Sequence, residues 1–70
     1  MTTEQRKQIA KSANMFFSNI FAFSNPERAF AFNERSVKMN MVMVVGNEFW
    51  VVSPAEAQRI NRLGYKYANR

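Results

Sequence analysis

Apolar residues in the first part of the chain recur at helical spacing. From Glu4 onward they fall three or four residues apart, at Ile9, Ala13, Phe16, Phe17 and Ile20. At about 100° per residue these positions lie on one arc of a helix. Thr2 and Gln5 also have the spacing of a capping box. The pattern predicts a helix over residues 4–17.

A near-repeat allows two interpretations of the secondary structure of the next segment. Phe21-Ala22-Phe23 recurs nine residues later as Phe30-Ala31-Phe32, and each copy alternates large and small side chains as a strand does. One interpretation is a hairpin of residues 20–23 and 28–32 around a turn at Asn25-Pro26-Glu27. The other, which we favour, extends the first helix to about Phe23 and begins a short helix at Pro26, because Pro suits the first helical position. Both interpretations make residues 33–36 a loop.

A second hairpin is indicated more clearly. The β-prone residues 37–45 and 48–52 flank Gly46-Asn47, and Gly46 can occupy the first central position of a type II′ turn. This register pairs Val44 with Phe49 and Met43 with Trp50. Both faces of the ribbon are then apolar, so each face must pack against a helix or another chain.

The last segment predicts a helix that begins at Pro54. Ser53 takes the N-cap, Pro54 the first helical position and Glu56 the third, which is a capping box. Its packed stripe would be Ala57, Ile60, Leu63, Gly64, Tyr67 and Ala68. The sequence therefore predicts one small α+β domain over residues 1–70: an N-terminal helix, an antiparallel β-hairpin with extension to a three- or four-strand meander as the alternative, and a C-terminal helix.

The composition of the chain argues against several classes of function. The chain has no Cys, His or Asp, and its side-chain carboxylates are five Glu, so the usual acid–base and zinc-binding groups are scarce. We predict no enzyme activity, no cofactor and no metal. Met39, Met41 and Met43 could offer sulfur to Cu(I), but packing explains the row better. Without a membrane-length apolar run or an export signal, a cytoplasmic protein is expected.

Net charge of +5 becomes informative where the charges share a face. On the predicted C-terminal helix such a face holds Arg59, Arg62, Lys66 and Arg70, with Tyr65 at its flank. It is either a binding surface for an anionic partner or a solvated face that complements the helix dipole. Arg6, Lys7 and Lys11 form a smaller cluster, better explained as solvated. Trp50 fits the core best, and as an alternative it could anchor a partner.

The run from Glu48 through Ser53-Pro54-Ala55-Glu56 to Arg59, closed by Gly64-Tyr65, resembles short phage and prophage accessory proteins. A subset of those, the anti-CRISPR proteins, inhibits bacterial defence systems. The resemblance implies a non-enzymatic protein that occupies a partner's surface. Many such inhibitors are acidic mimics of nucleic acid, whereas this chain is basic, so an acidic protein groove or nucleic acid within a complex fits better.

These observations lead to one functional expectation and one alternative. We expect a phage-type accessory protein in the cytoplasm of a bacterial host that binds a host or defence protein complex and inhibits or modulates it. It would be a homodimer, or a monomer that buries the apolar surface of its ribbon only with its partner. The alternative is a small basic nucleic-acid-binding protein that uses the C-terminal helix face. The residues expected to bind the partner are Trp50, Arg59, Arg62, Tyr65, Lys66 and Arg70.

Overall fold

Helices cover both faces of an antiparallel sheet. The computed structural model describes residues 1–69, and the strand order in its four-stranded sheet is β1-β3-β2-β4. In chain order the elements are α1 (Thr3–Ser12), a 3-10 turn (Phe17–Asn19), β1 (Phe21–Phe23), α2 (Pro26–Arg35), β2 (Met41–Val45), β3 (Glu48–Val52), α3 (Pro54–Arg62) and β4 (Lys66–Tyr67). The predicted α+β class, with helices at both ends and strands between them, is confirmed.

The central hairpin forms in the predicted register. Val44 pairs with Phe49 and Met43 with Trp50. Gly46 has a φ of 62°, the left-handed conformation that the turn requires and that glycine adopts without a Cβ penalty. The glycine therefore sets which side chains face each side of the sheet.

Each face of the ribbon packs against helices of the same chain. One face holds the main core, in which α1 and α3 cover the sheet with small and aliphatic side chains; its buried members are Ala13, Met43, Val45, Trp50, Val52, Ala57 and Ile60. The opposite face holds a smaller core of Ala29, Val42 and Val51 under α2. The two apolar faces thus find their packing partners within one chain.

Helix α1 ends at Ser12, so the predicted end of this helix at residue 17, and its favoured extension to Phe23, are wrong. Asn14 has a φ of 55° and its N–H donates to Lys11 O, while Met15 N–H donates to Ala10 O. These bonds form a Schellman motif, in which a residue in the left-handed conformation closes a helix. Asn adopts that conformation more readily than most residues. The predicted start is confirmed, since Thr2 and Gln5 form the capping box.

The two copies of the near-repeat adopt different structures, and neither interpretation is right throughout. Phe21–Phe23 forms an edge strand on β3, as the hairpin interpretation required of that segment. Pro26 begins α2, as the helical one required, and Asn25 caps it by accepting from Glu27 N–H at 2.8 Å. The helix continues to Arg35, so the predicted loop over residues 33–36 is also wrong.

Helix α3 begins as predicted and ends earlier than expected. Ser53 and Glu56 form the capping box, but the helix stops at Arg62. Gly64 follows with a φ of 107°, and its N–H donates to Asn61 O at 3.0 Å. The chain then returns to the sheet, where Lys66 pairs with Val44. Leu63 and Tyr67, expected in the packed stripe, are exposed.

Candidate functional site

The predicted C-terminal basic face does not form as one helical surface. Arg59 and Arg62 lie on α3, whereas Lys66 lies on β4, beyond the turn at Gly64. Arg59 donates from Nη1 to Asn14 O at 2.9 Å and so ties α3 to the end of α1. Tyr65 is half-buried against the main core. Arg70 lies outside the described residues. The early end of α3 therefore separates the charges that a longer helix would have aligned.

Trp50 lies in the core, with no exposed surface. Its Nε1 donates to Glu48 Oε1 at 3.0 Å, so the polar group of the indole is satisfied within the chain. The preferred interpretation, a core residue, is confirmed. Contact with a partner through this side chain would require α1 or α3 to move off the sheet.

The smaller basic cluster on α1 is divided by its contacts. Arg6 forms a bidentate ion pair with the buried carboxylate of Glu48, including a 2.9 Å bond from Nε to Oε1. Lys7 is exposed, with Nζ 5.7 Å from the centroid of the Phe17 ring. Lys11 is exposed one turn further along. Arg6 thus stabilises the fold, while the two lysines face solvent.

The methionine row is divided in a similar way. Met43 is buried in the core, Met41 is half-buried, and Met39 is exposed in the loop before β2. Packing explains Met43. No group of three or more His, Cys, Asp or Glu side chains suited to a metal ion occurs within residues 1–69.

Sequence reasoning missed the exposed phenylalanines that follow α1. Because the Schellman motif ends the helix at Ser12, the chain turns away and leaves Phe16 77% exposed. Phe21, on the edge strand β1, is 50% exposed, and its ring lies 4.9 Å from that of Phe32. The sequence signal for this arrangement was Asn14, a residue type that commonly closes helices in the left-handed conformation.

Phe16 lines two adjoining surface depressions. The larger, of about 560 Å³, has Phe16, Phe21, Lys38 and Arg59 in its lining. The smaller, of about 500 Å³, lies against α1 and includes Lys7, Lys11, Phe16 and Phe17. Both also share Asn14 and Met15 in their linings. We call this pair of adjoining depressions the aromatic–basic groove.

The groove is positively charged. Its lining contributes four cationic side chains: Lys7, Lys11, Lys38 and Arg59. Among its described lining residues, Glu56 is the one carboxylate, and it is buried. Ser53 Oγ donates to Glu56 Oε1 at 2.8 Å and Asn19 Nδ2 donates to Oε2 at 3.3 Å, so this carboxylate is already hydrogen-bonded. The cations remain available to an anionic ligand.

In comparisons with known proteins, the chain matches no family model, no curated protein and no solved structure. The resemblance to phage accessory proteins therefore stays a prediction. Over residues 1–69, no helix has the length and apolar character needed to cross a membrane.

Proposed function

We propose that this protein is a non-enzymatic, phage-type accessory protein that binds a host or defence complex containing nucleic acid, and so inhibits or modulates it. The observation that carries the proposal is the aromatic–basic groove. Exposed aromatic rings beside several cations form a surface suited to an anionic partner. The proposal keeps the function expected from the sequence and moves its contact surface to the groove.

The cost of exposing these side chains supports a binding role. Phe16 is largely exposed, although a chain of this size needs its apolar side chains for a small core. Contiguous exposed apolar surface on a small protein commonly marks an interaction site. Here it adjoins Lys38 and Arg59, which favours a partner that carries negative charge.

The test compares matched variants in capture from a bacterial lysate, with and without nuclease. We expect the wild-type protein to retain a defined complex, and the Phe16→Ser/Lys38→Ser variant to lose it. The control is Tyr67→Leu/Arg28→Ser, which removes an aromatic ring and a charge at positions outside the groove. Equal capture by the groove variant and the wild type, with both folded by circular dichroism, would refute the proposed surface.

A functional readout separates inhibition from mere association. The wild-type gene, expressed in a host whose defence system restricts a phage, should raise the plating efficiency of that phage if the captured complex belongs to the system. The groove variant should restore restriction. A captured complex whose activity does not change in either strain would contradict the inhibitory part of the proposal.

Direct nucleic-acid binding through the C-terminal cations is the second candidate. Arg62 and Lys66 are both exposed, even though they lie on different elements. A salt-titrated gel shift with Arg59→Ser/Arg62→Ser/Lys66→Ser tests it. The candidate expects weaker binding and a shallower salt dependence, by about one unit of slope for each phosphate of duplex DNA that the variant no longer neutralises. Because Arg59 also lines the groove, Arg62→Ser/Lys66→Ser should be measured beside the triple variant.

A further inference from the structure

We infer that the aromatic–basic groove binds single-stranded nucleic acid, with a base stacked on Phe16 and phosphates beside the flanking cations. This inference deepens the proposed function and rests on it for its biological setting. It names the chemical class that the groove recognises. It can also be tested on the isolated protein.

Stacking is the interaction that Phe16 can offer. The residue is 77% exposed, and the two depressions that it lines leave space for a flat group. The bases of a single strand present such faces, and stacking on aromatic side chains binds them with little sequence preference. Duplex bases are already stacked on each other, so this interaction selects unpaired strands.

The charges fit a backbone that passes Phe16. Lys7 and Lys11 line one of the depressions that share Phe16, and Lys38 and Arg59 line the other. A strand crossing the ring therefore meets cations before and after the stacked base. Arg59 uses Nη1 for Asn14 O, and its guanidinium carries further N–H groups that can donate to phosphate.

A second aromatic ring extends the same surface. Phe21 lines the larger depression and is half-exposed, while Phe32 lies 4.9 Å from it, centroid to centroid. This packing holds Phe21 in place with half of its surface open to solvent. A peptide of Asp and Glu alone would neutralise the cations but would bring no flat π face to either ring. The two rings therefore favour nucleic acid.

The experiment measures fluorescence anisotropy with labelled single-stranded oligonucleotides of about 10 nucleotides, DNA and RNA, and with the matching duplexes. We expect tighter binding to the single strands. The logarithm of the association constant should fall against the logarithm of salt concentration with a slope of about −2 to −3, which corresponds to three or four phosphate contacts.

Two variants separate stacking from charge. Phe16→Leu should weaken binding about tenfold with an unchanged salt slope, because it removes the π face and no cation. Lys38→Ser should make the slope shallower by about 0.7, the contribution of one phosphate contact on a single strand. Matched controls are Tyr67→Leu, on the opposite edge of the sheet, and Arg28→Ser, on α2; both should bind as the wild type does.

Several outcomes overturn the inference. One is that the protein binds the duplexes as tightly as the single strands. Another is that the control variants lose as much affinity as the groove variants. A third is that the protein binds no oligonucleotide at low salt although circular dichroism shows it to be folded. Binding of a polyglutamate peptide in place of the oligonucleotides would identify the groove as a protein-binding site. If the oligonucleotides do not bind, but capture from the lysate still depends on the groove after nuclease treatment, the proposed surface stands and the inference of single-strand binding fails. If the oligonucleotides do not bind and the wild-type protein captures nothing from the lysate, the proposed function and the inference of single-strand binding both fail.

Discussion

Glu48 begins β3 and is only 7% exposed, yet it carries a charge. Its carboxylate accepts from Arg6 and from Trp50 Nε1, which couples α1 to the indole at the centre of the core. The hydrogen bonds from Arg6, aided by Trp50, outweigh the effect of burial and lower the pKa of Glu48 to about 2. A buried carboxylate with charge-assisted bonds of this kind favours one packing of the helix on the sheet.

We predict that Glu48→Gln destabilises the protein by about 2 kcal/mol at pH 7, because the depressed pKa of Glu48 reflects stabilisation of its charged form. This stabilisation is fully present above the unfolded pKa, about 4.3. It is lost as pH falls toward 2. The difference in free energy of unfolding between wild type and variant, measured by urea denaturation, should therefore shrink over that interval. A difference between wild type and Glu48→Gln that stays constant over this interval would refute this account.

At the scale of elements, local turn and cap signals predicted the structure well. Gly46 determines the hairpin register, and Ser53-Pro54 determines the start of α3. The errors lie where a residue ends a helix, because the apolar pattern continues past both Asn14 and Gly64. The Phe-Ala-Phe repeat could not be resolved locally, because the same letters form a strand at Phe21–Phe23 and part of a helix after the Asn25 cap. The groove was missed for the same reason, since it depends on the end of α1.

The substitution Gly64→Ala distinguishes the predicted longer helix from the observed turn, because the two structures predict changes of opposite sign in the free energy of unfolding. In a helix interior, Gly64→Ala would stabilise the protein by about 1 kcal/mol. At the observed φ of 107° an alanine is strained, and we expect destabilisation by about 1–2 kcal/mol. An added Cβ would meet nothing within 4 Å, so backbone strain alone causes the loss of stability. Thermal or urea denaturation measures it, and a stabilised variant would contradict the turn.

Asn14 provides a second test of a helix end. We predict that Asn14→Gly stabilises the protein by several tenths of a kcal/mol, because glycine adopts the φ of 55° without a Cβ penalty. Asn14→Val should destabilise it, since a β-branched residue is disfavoured there. The hydrogen bond from Arg59 uses the backbone oxygen of Asn14 and is kept in both variants. Equal stabilities for the two variants in urea denaturation would show that the Schellman motif does not determine where α1 ends.

At the scale of the whole molecule, the predicted homodimer needs a different surface from the one the sequence suggested. Both faces of the central ribbon are covered by helices of the same chain. The three most exposed apolar side chains instead lie at or beside the groove: Phe16 lines it, while Val37 and Met39, which are 104% and 81% exposed, flank its Lys38 in the chain. A second copy that buried this region would compete with an anionic ligand for the groove.

We therefore predict that the protein forms a homodimer through this region. Its dimerisation should strengthen as salt concentration rises, whereas oligonucleotide binding should weaken. Two copies of net charge +5 repel each other, so raising salt from about 50 mM to about 500 mM should increase the dimer fraction in sedimentation velocity as screening grows. The same change should weaken oligonucleotide binding.

Val37→Ser/Met39→Ser should reduce the dimer fraction without loss of fold, because both side chains are exposed, and Leu63→Ser is the control. A monomer at every salt concentration would refute the homodimer. A dimer unaffected by the double variant would place the interface elsewhere and leave the groove open to its anionic partner.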